Sequence, residues 1–204
     1  MPSYRDYSSL LPRPMICPWT PLILLYEDLH WIILVAKNVL TIESEGETPM
    51  IPPDIMDYTI STSKDVSLDT TLKVLASPSE KVESIPGGDQ HTDGVVRLVS
   101  GVFQLCEVEK RAVEAKLTGS PQLISTTMWF LHRWSRSYLL PDENYYAQVS
   151  QALLSSFGRD TDGAQWVTSF LFSCIISNIS AWNSEEMVIK DSLDLLLSLV
   201  ENKS

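Results

Sequence analysis

A chain of 204 residues with 44% apolar and 20% charged side chains can bury one ordinary core and is too apolar for a disordered protein. Its net charge of −11 argues against nucleic-acid binding, which needs a basic face to displace counterions. Three widely separated cysteines, Cys17, Cys106 and Cys174, form neither a disulfide framework nor a C-x-x-C metal pair, and they fit a reducing, intracellular setting.

Residues 1–21 contain Pro2, Pro12, Pro14, Pro18 and Pro21. Such a run cannot continue a helix, so a Pro-rich irregular leader is expected there. With no basic region followed by a clean apolar run and a small-residue cleavage site, no secretory signal is expected. Region 22–92 is expected to hold one helix, short helices and a long irregular connector. Its first segment, LILLYEDLHWIILVAKNVL, predicts a helix ending near Ile42 with Leu25, Leu29, Ile32, Ile33 and Ala36 on one face. Glu27, Asp28, His30 and Lys37 lie inside it, which argues against membrane insertion, because a span needs roughly 20 mostly uncharged residues. Gly46, Pro49, Pro52 and Pro53 then break the chain. PPDIMDYTIS predicts a short helix with Pro53 near its start, and Leu68–Ala76 a second. Ser77–Thr92 reads as a polar connector.

Region 93–204 is expected to be HEAT-like helical repeats. Val99, Val102, Phe103 and Cys106 fall at i, i+3, i+4 and i+7 of a helix reaching about Leu117. Ser120 as N-cap and Pro121 as first helical residue open another, to Leu140, with Ile124, Met128, Leu131 and Tyr138 on one side. Asp142–Phe157 is predicted helical with Tyr146, Val149 and Leu153 inward. Thr161–Trp182 follows, with Val167, Phe170, Leu171 and Cys174. In Ser184–Glu201, the residues Leu193, Leu196, Leu197 and Val200 form a stripe that needs a partner surface. No strand-like alternation competes. Helix starts near 93, 142 and 184, and near 121 and 161, recur every 40 to 49 residues. That spacing favours an all-α, HEAT-like helical-repeat solenoid (an α-α superhelix) over a closed bundle. A final amphipathic helix without a pair-mate suggests a piece of a longer array.

Chemistry-bearing patterns are few. His30, His91 and His132 are scattered and adjoin no nucleophile motif, so they read as structural, and no catalytic, cofactor-binding or metal-ligating set is expected. Gly87-Gly88 reads as a turn. Asp160-Thr161-Asp162-Gly163 imitates part of a calcium loop, but it lacks the remaining ligands and reads as a helix cap. Asn178-Ile179-Ser180 and Asn202-Lys203-Ser204 match the glycosylation pattern, without other signs of secretion. LDLLLSLVE, Leu193–Glu201, resembles a leucine-rich export signal, but the same leucines read better as a core stripe. Trp129, Phe130, His132, Arg133, Trp134 and Arg136 form the one aromatic–basic cluster. Its aromatic members suit a core, and Arg133 and Arg136 are the candidates for contact with an acidic partner.

Six longer words carry a resemblance: YEDLHWIILVAKNVL (Tyr26–Leu40), GETPMIPPDIMDY (Gly46–Tyr58), VVRLVSGVFQLCEVEKRAVEAKLT (Val95–Thr118), WFLHRWSRSYLL (Trp129–Leu140), FGRDTDGAQW (Phe157–Trp166) and ISNISAWNSEE (Ile176–Glu186). Over 26–204, in order, the chain resembles the importin-β (karyopherin-β) family of nuclear transport receptors, on its export side; residues 1–25 do not share in it. The resemblance implies a central segment of a HEAT-repeat receptor that shuttles between nucleus and cytoplasm through the nuclear pore. It further implies protein cargo, including a hypusine-bearing translation factor, with Ran-GTP and nucleoporins engaged through the full-length receptor. No catalytic residues come with it. The alternative reading is an independent helical-repeat scaffold or adaptor with its own protein partner.

Overall fold

The computed structural model describes residues 20–42, 49–117 and 119–201. The predicted leader therefore lies outside the described residues except for its last two, which open the first helix. The described residues are helical with no strand: α1 (Thr20–Leu40), α2 (Pro53–Ser61), α3 (Leu68–Leu75), α4 (Gly88–His91), α5 (Gly94–Glu114), α6 (Pro121–Tyr138), α7 (Gln151–Phe157), α8 (Asp162–Ala181) and α9 (Glu186–Glu201). This is the all-α, HEAT-like helical-repeat class expected from the 3.6-residue periodicity.

Local chemistry sets the helix starts. Asp93 caps α5, its Oδ1 accepting the N–H groups of Val95 and Val96 at 2.9 and 3.0 Å. Ser120 Oγ accepts the Leu123 N–H at 3.2 Å, and Pro121 follows as the first residue of α6. Thr161 Oγ1 caps α8 through the Ala164 N–H.

Helices α1, α6 and α9 lie side by side with α6 in the middle, and all three run the same way. His30 meets Thr126, and the Tyr138 hydroxyl reaches the Leu40 carbonyl, so α1 and α6 advance together. Ser125 bonds Asp191 and Ser135 lies 3.1 Å from Ser198, so α6 and α9 do too. Behind this layer stand α5 and α8. Phe103 on α5 packs against Trp166 and Phe170 on α8, with ring centroids 6.0 and 4.9 Å apart. The same Phe103 meets Trp134 edge-on, 6.0 Å away, and Trp134 meets Phe157 at 5.0 Å. This aromatic chain joins the two layers into one core.

The repeating unit is thus α5 with α6, followed by α8 with α9. Equivalent helices begin at Gly94 and Asp162, and at Pro121 and Glu186. The repeat is longer than the 40 to 49 residues read from the sequence, because the segment before α8 is not a full helix. Within Asp142–Phe157 only a 3-10 turn at Glu143–Tyr145 and the short α7 are helical. Tyr146 between them is extended, and its hydroxyl oxygen accepts the Ile51 N–H at 2.9 Å. That tie to a segment distant in sequence outweighs the local helical pattern.

Two other expectations change. On α9 the inward residues are Val188, Ser192, Leu195, Ser198 and Leu199, whereas Leu193, Leu197 and Val200 are exposed and Leu196 is half-buried. Serines at 192 and 198 let α9 approach the serines of α6 closely, which rotates the leucine-rich side outward. On α1 the buried set is Ile33, Ala36, Lys37 and Leu40; Leu25 and Ile32 face solvent with Trp31, Val35 and Val39. The connector 77–92 is more built than its polarity suggests. Ile85 is buried, the Gln104 side chain donates to the Glu80 carbonyl, and the Ser67 N–H bonds the His91 carbonyl at 2.8 Å.

Candidate functional site

The central helix α6 is enclosed by α1, α5 and α9 on most of its circumference. Twelve of its 18 residues are buried, and beyond its first two residues the side chains that reach the surface are Trp129, His132, Arg133 and Arg136. The spacing 129, 133, 136 places them on one side of the helix, one turn above another. Sequence reading named Arg133 and Arg136 as contact candidates, and they lie together on this single open strip. Phe130 and Trp134, from the same cluster, point into the core with no measurable exposure. Arg133 is half-buried, and Arg136 is exposed with no ion pair among the described residues.

The strip has a different flank on each side. Toward α1, Lys37 is 4% exposed and its ammonium sits over the Trp129 ring, 4.8 Å from the centroid. Toward α9, Asp191 and Asp194 lie close enough to His132 to influence its charge. Burial lowers the His132 pKa most. Arg136 and Arg133 lower it further, and Asp194 and Asp191 oppose them. The ring is therefore neutral at pH 7, and the cationic character of the strip comes from its arginines and Lys37.

The other histidines are tied into the fold. His30 Nδ1 lies 2.8 Å from Thr126 Oγ1, whose own hydrogen goes to the Gln122 carbonyl, so the ring nitrogen is the donor. His91 Nδ1 lies 3.0 Å from the Asp65 carbonyl. Among the described residues, no group of three or more His, Cys, Asp or Glu is placed to hold a metal ion. No described helix is long and apolar enough to cross a membrane.

Two features escaped the sequence reading. A groove of about 540 Å³ runs between the start of α1 and the start of α6, lined by Leu22, Tyr26, His30, Ser120 and Leu123 among others. Behind it, Glu109 is 7% exposed and is pushed above the usual carboxylate range by burial, which outweighs the opposing pull of the Ser120 N–H. Glu109 falls three residues after Cys106 on the same inward stripe, so extending that stripe by one turn would have flagged it.

The family model described as Exportin-4 matches residues 21–204. Among curated proteins, the chain is 29% identical over 184 residues to a protein named Exportin-4 from Dictyostelium discoideum. That alignment covers 88% of this chain but 14% of the relative's length, so the chain spans about one-seventh of it. A match across both helix pairs and the helices before them shows that this chain belongs to the exportin-4 family.

Proposed function

We propose that the chain works as a segment of a nuclear export receptor, one that binds protein cargo and carries it from nucleus to cytoplasm through the nuclear pore under the control of Ran-GTP. Membership of the exportin-4 family over 21–204 is the observation that supports this reading. The stacked helix pairs suit it. Each pair packs on the next through a continuous core, and small rotations between pairs would add up to opening or closing around a cargo. Binding then depends on shape and charge rather than on a reaction, and the protein shuttles between nucleus and cytoplasm. Ran-GTP and nucleoporins are partners of the full-length receptor. By family resemblance, the cargo includes a hypusine-bearing translation factor.

Within this segment, Arg133 and Arg136 are the residues to which we assign cargo contact. Their planar, permanently charged groups on the open strip of α6 suit a carboxylate-bearing surface. The test places Arg133→Glu and Arg136→Glu together in the full-length receptor and measures cargo affinity with Ran loaded with GTP. A loss of about tenfold or more with unchanged helix content is expected, in line with the removal of one or two charge-assisted bonds. Unchanged affinity would place the contact elsewhere.

A further inference from the structure

We infer that Cys106 and Cys174 are an oxidisable pair whose disulfide would fasten α5 to α8, the equivalent helices of successive pairs. The two cysteines are 68 positions apart in sequence, and the fold brings both to one cavity. Both are free and buried, 8% and 6% exposed. Both line the same narrow cavity between α5, α6 and α8, and Cys174 is near enough to raise the pKa of the Cys106 thiol. Within that cavity Glu109, one turn beyond Cys106, has an Oε2 with no hydrogen-bond partner among the described residues. Its negative charge acts on Cys106.

The chemistry balances with a peroxide as oxidant. Glu109 takes the proton from one thiol, and the resulting thiolate attacks the peroxide O–O bond. One oxygen stays on sulfur as a sulfenic acid, and the other leaves as water after protonation. The neighbouring thiol then attacks the sulfenic sulfur. The S–S bond forms, the S–O bond breaks and a second water leaves, so two thiols and one hydrogen peroxide give one disulfide and two waters. The neighbouring Cys174 and burial hold the Cys106 thiol well above its usual pKa, so at rest that thiol is protonated and slow to react. Adjacency compensates for this, because any sulfenic acid formed at one sulfur meets the resolving thiol before a second oxidant. The disulfide would fix the distance between two helix pairs, the joint at which the array bends.

The test uses the full chain carrying Cys17→Ser, which removes the remaining thiol. After treatment with hydrogen peroxide, quenching and digestion without reductant, one peptide pair linking 106 to 174 is expected in a monomeric product. Thermal unfolding should move to higher temperature and return on reduction, and adding Cys174→Ser should abolish both effects. Adding Glu109→Gln should slow the cross-linking several-fold. Recovery of both thiols alkylated after denaturation, or of sulfinic acids without a 106–174 link, would overturn the pairing. An unchanged rate in the glutamine variant would overturn the proton-accepting role.

Discussion

The Tyr138 hydroxyl donates to the Leu40 carbonyl oxygen at 2.9 Å, joining the last turn of α6 to the end of α1 across 98 positions of sequence. Leu40 ends its helix, so its carbonyl has no intrahelical donor to meet it, and both residues are buried. Tyr138→Phe keeps the ring, which stacks on Trp134 at an interplanar angle of 16°, and removes only the bond. A loss of about 1–3 kcal/mol is expected by urea unfolding, because a buried carbonyl is left unpaired. A change below about 0.3 kcal/mol would show that this tie contributes nothing net.

The orientation of α9 can be tested with two leucines two positions apart. Leu199 has no exposure, and Leu197 is 58% exposed. Leu199→Ala should cost about 2–5 kcal/mol, as core truncations do. Leu197→Ala should stay within about 0.5 kcal/mol. Chemical denaturation of the two variants side by side decides it, and equal costs would return the helix to the orientation read from its sequence.

Gly163 lies at the start of α8 in the segment that imitates a calcium loop. A Cβ there would come within 2.5 Å of the Ser155 carbonyl oxygen and 2.6 Å of that of Ser156. Both obstacles are backbone, so they cannot rotate aside. Gly163→Ala is expected to lower stability by about 1–3 kcal/mol. Added calcium should leave the melting temperature of the parent chain where it is, and a calcium-dependent rise would reassign the loop.

Glu109 gives a pH dependence with a definite sign. Burial raises its pKa above the ordinary 4.5, so the folded chain holds that proton more tightly than the unfolded chain does. Its stabilising contribution is fully present below pH 4.5 and is lost as pH rises through the raised folded value. Glu109→Gln keeps the side chain's size and shape and removes the buried charge. The variant should melt higher than the parent at pH 7, with the gap narrowing as pH approaches 4.5. A gap that stays constant with pH would exclude the carboxylate as its source.

The helices were legible wherever a cap coincided with a periodic stripe. Asp93, Ser120 with Pro121, and Thr161 each mark a start, and the stripe Val99, Val102, Phe103 and Cys106 is buried as its spacing predicts. Helix orientation was less legible where a helix is apolar on more than one side. In α1 and α9 the choice of face depends on which neighbour offers small residues or a hydrogen-bond partner, and Ser192, Ser198 and Lys37 look like solvent-facing residues in a linear reading. Segment 142–150 was misread because Tyr146 is held by Ile51, a tie that local propensity does not reveal. Of the candidate site, the residue types were visible in the sequence. That Arg133 and Arg136 share the open strip of an otherwise enclosed helix required the positions of α1 and α9.

Because α1, α6 and α9 point the same way, their backbone dipoles reinforce one another, and carbonyl-rich ends gather on one edge of the layer. Lys37 lies in the last turn of α1 and Arg136 in the last turn of α6, so a cation sits at each of the first two ends. Arg136 thus has work at home, steadying the negative end of its own helix before any partner arrives. Arg136→Lys preserves that charge and removes the planar fork, so it separates the two duties that a charge reversal would confound.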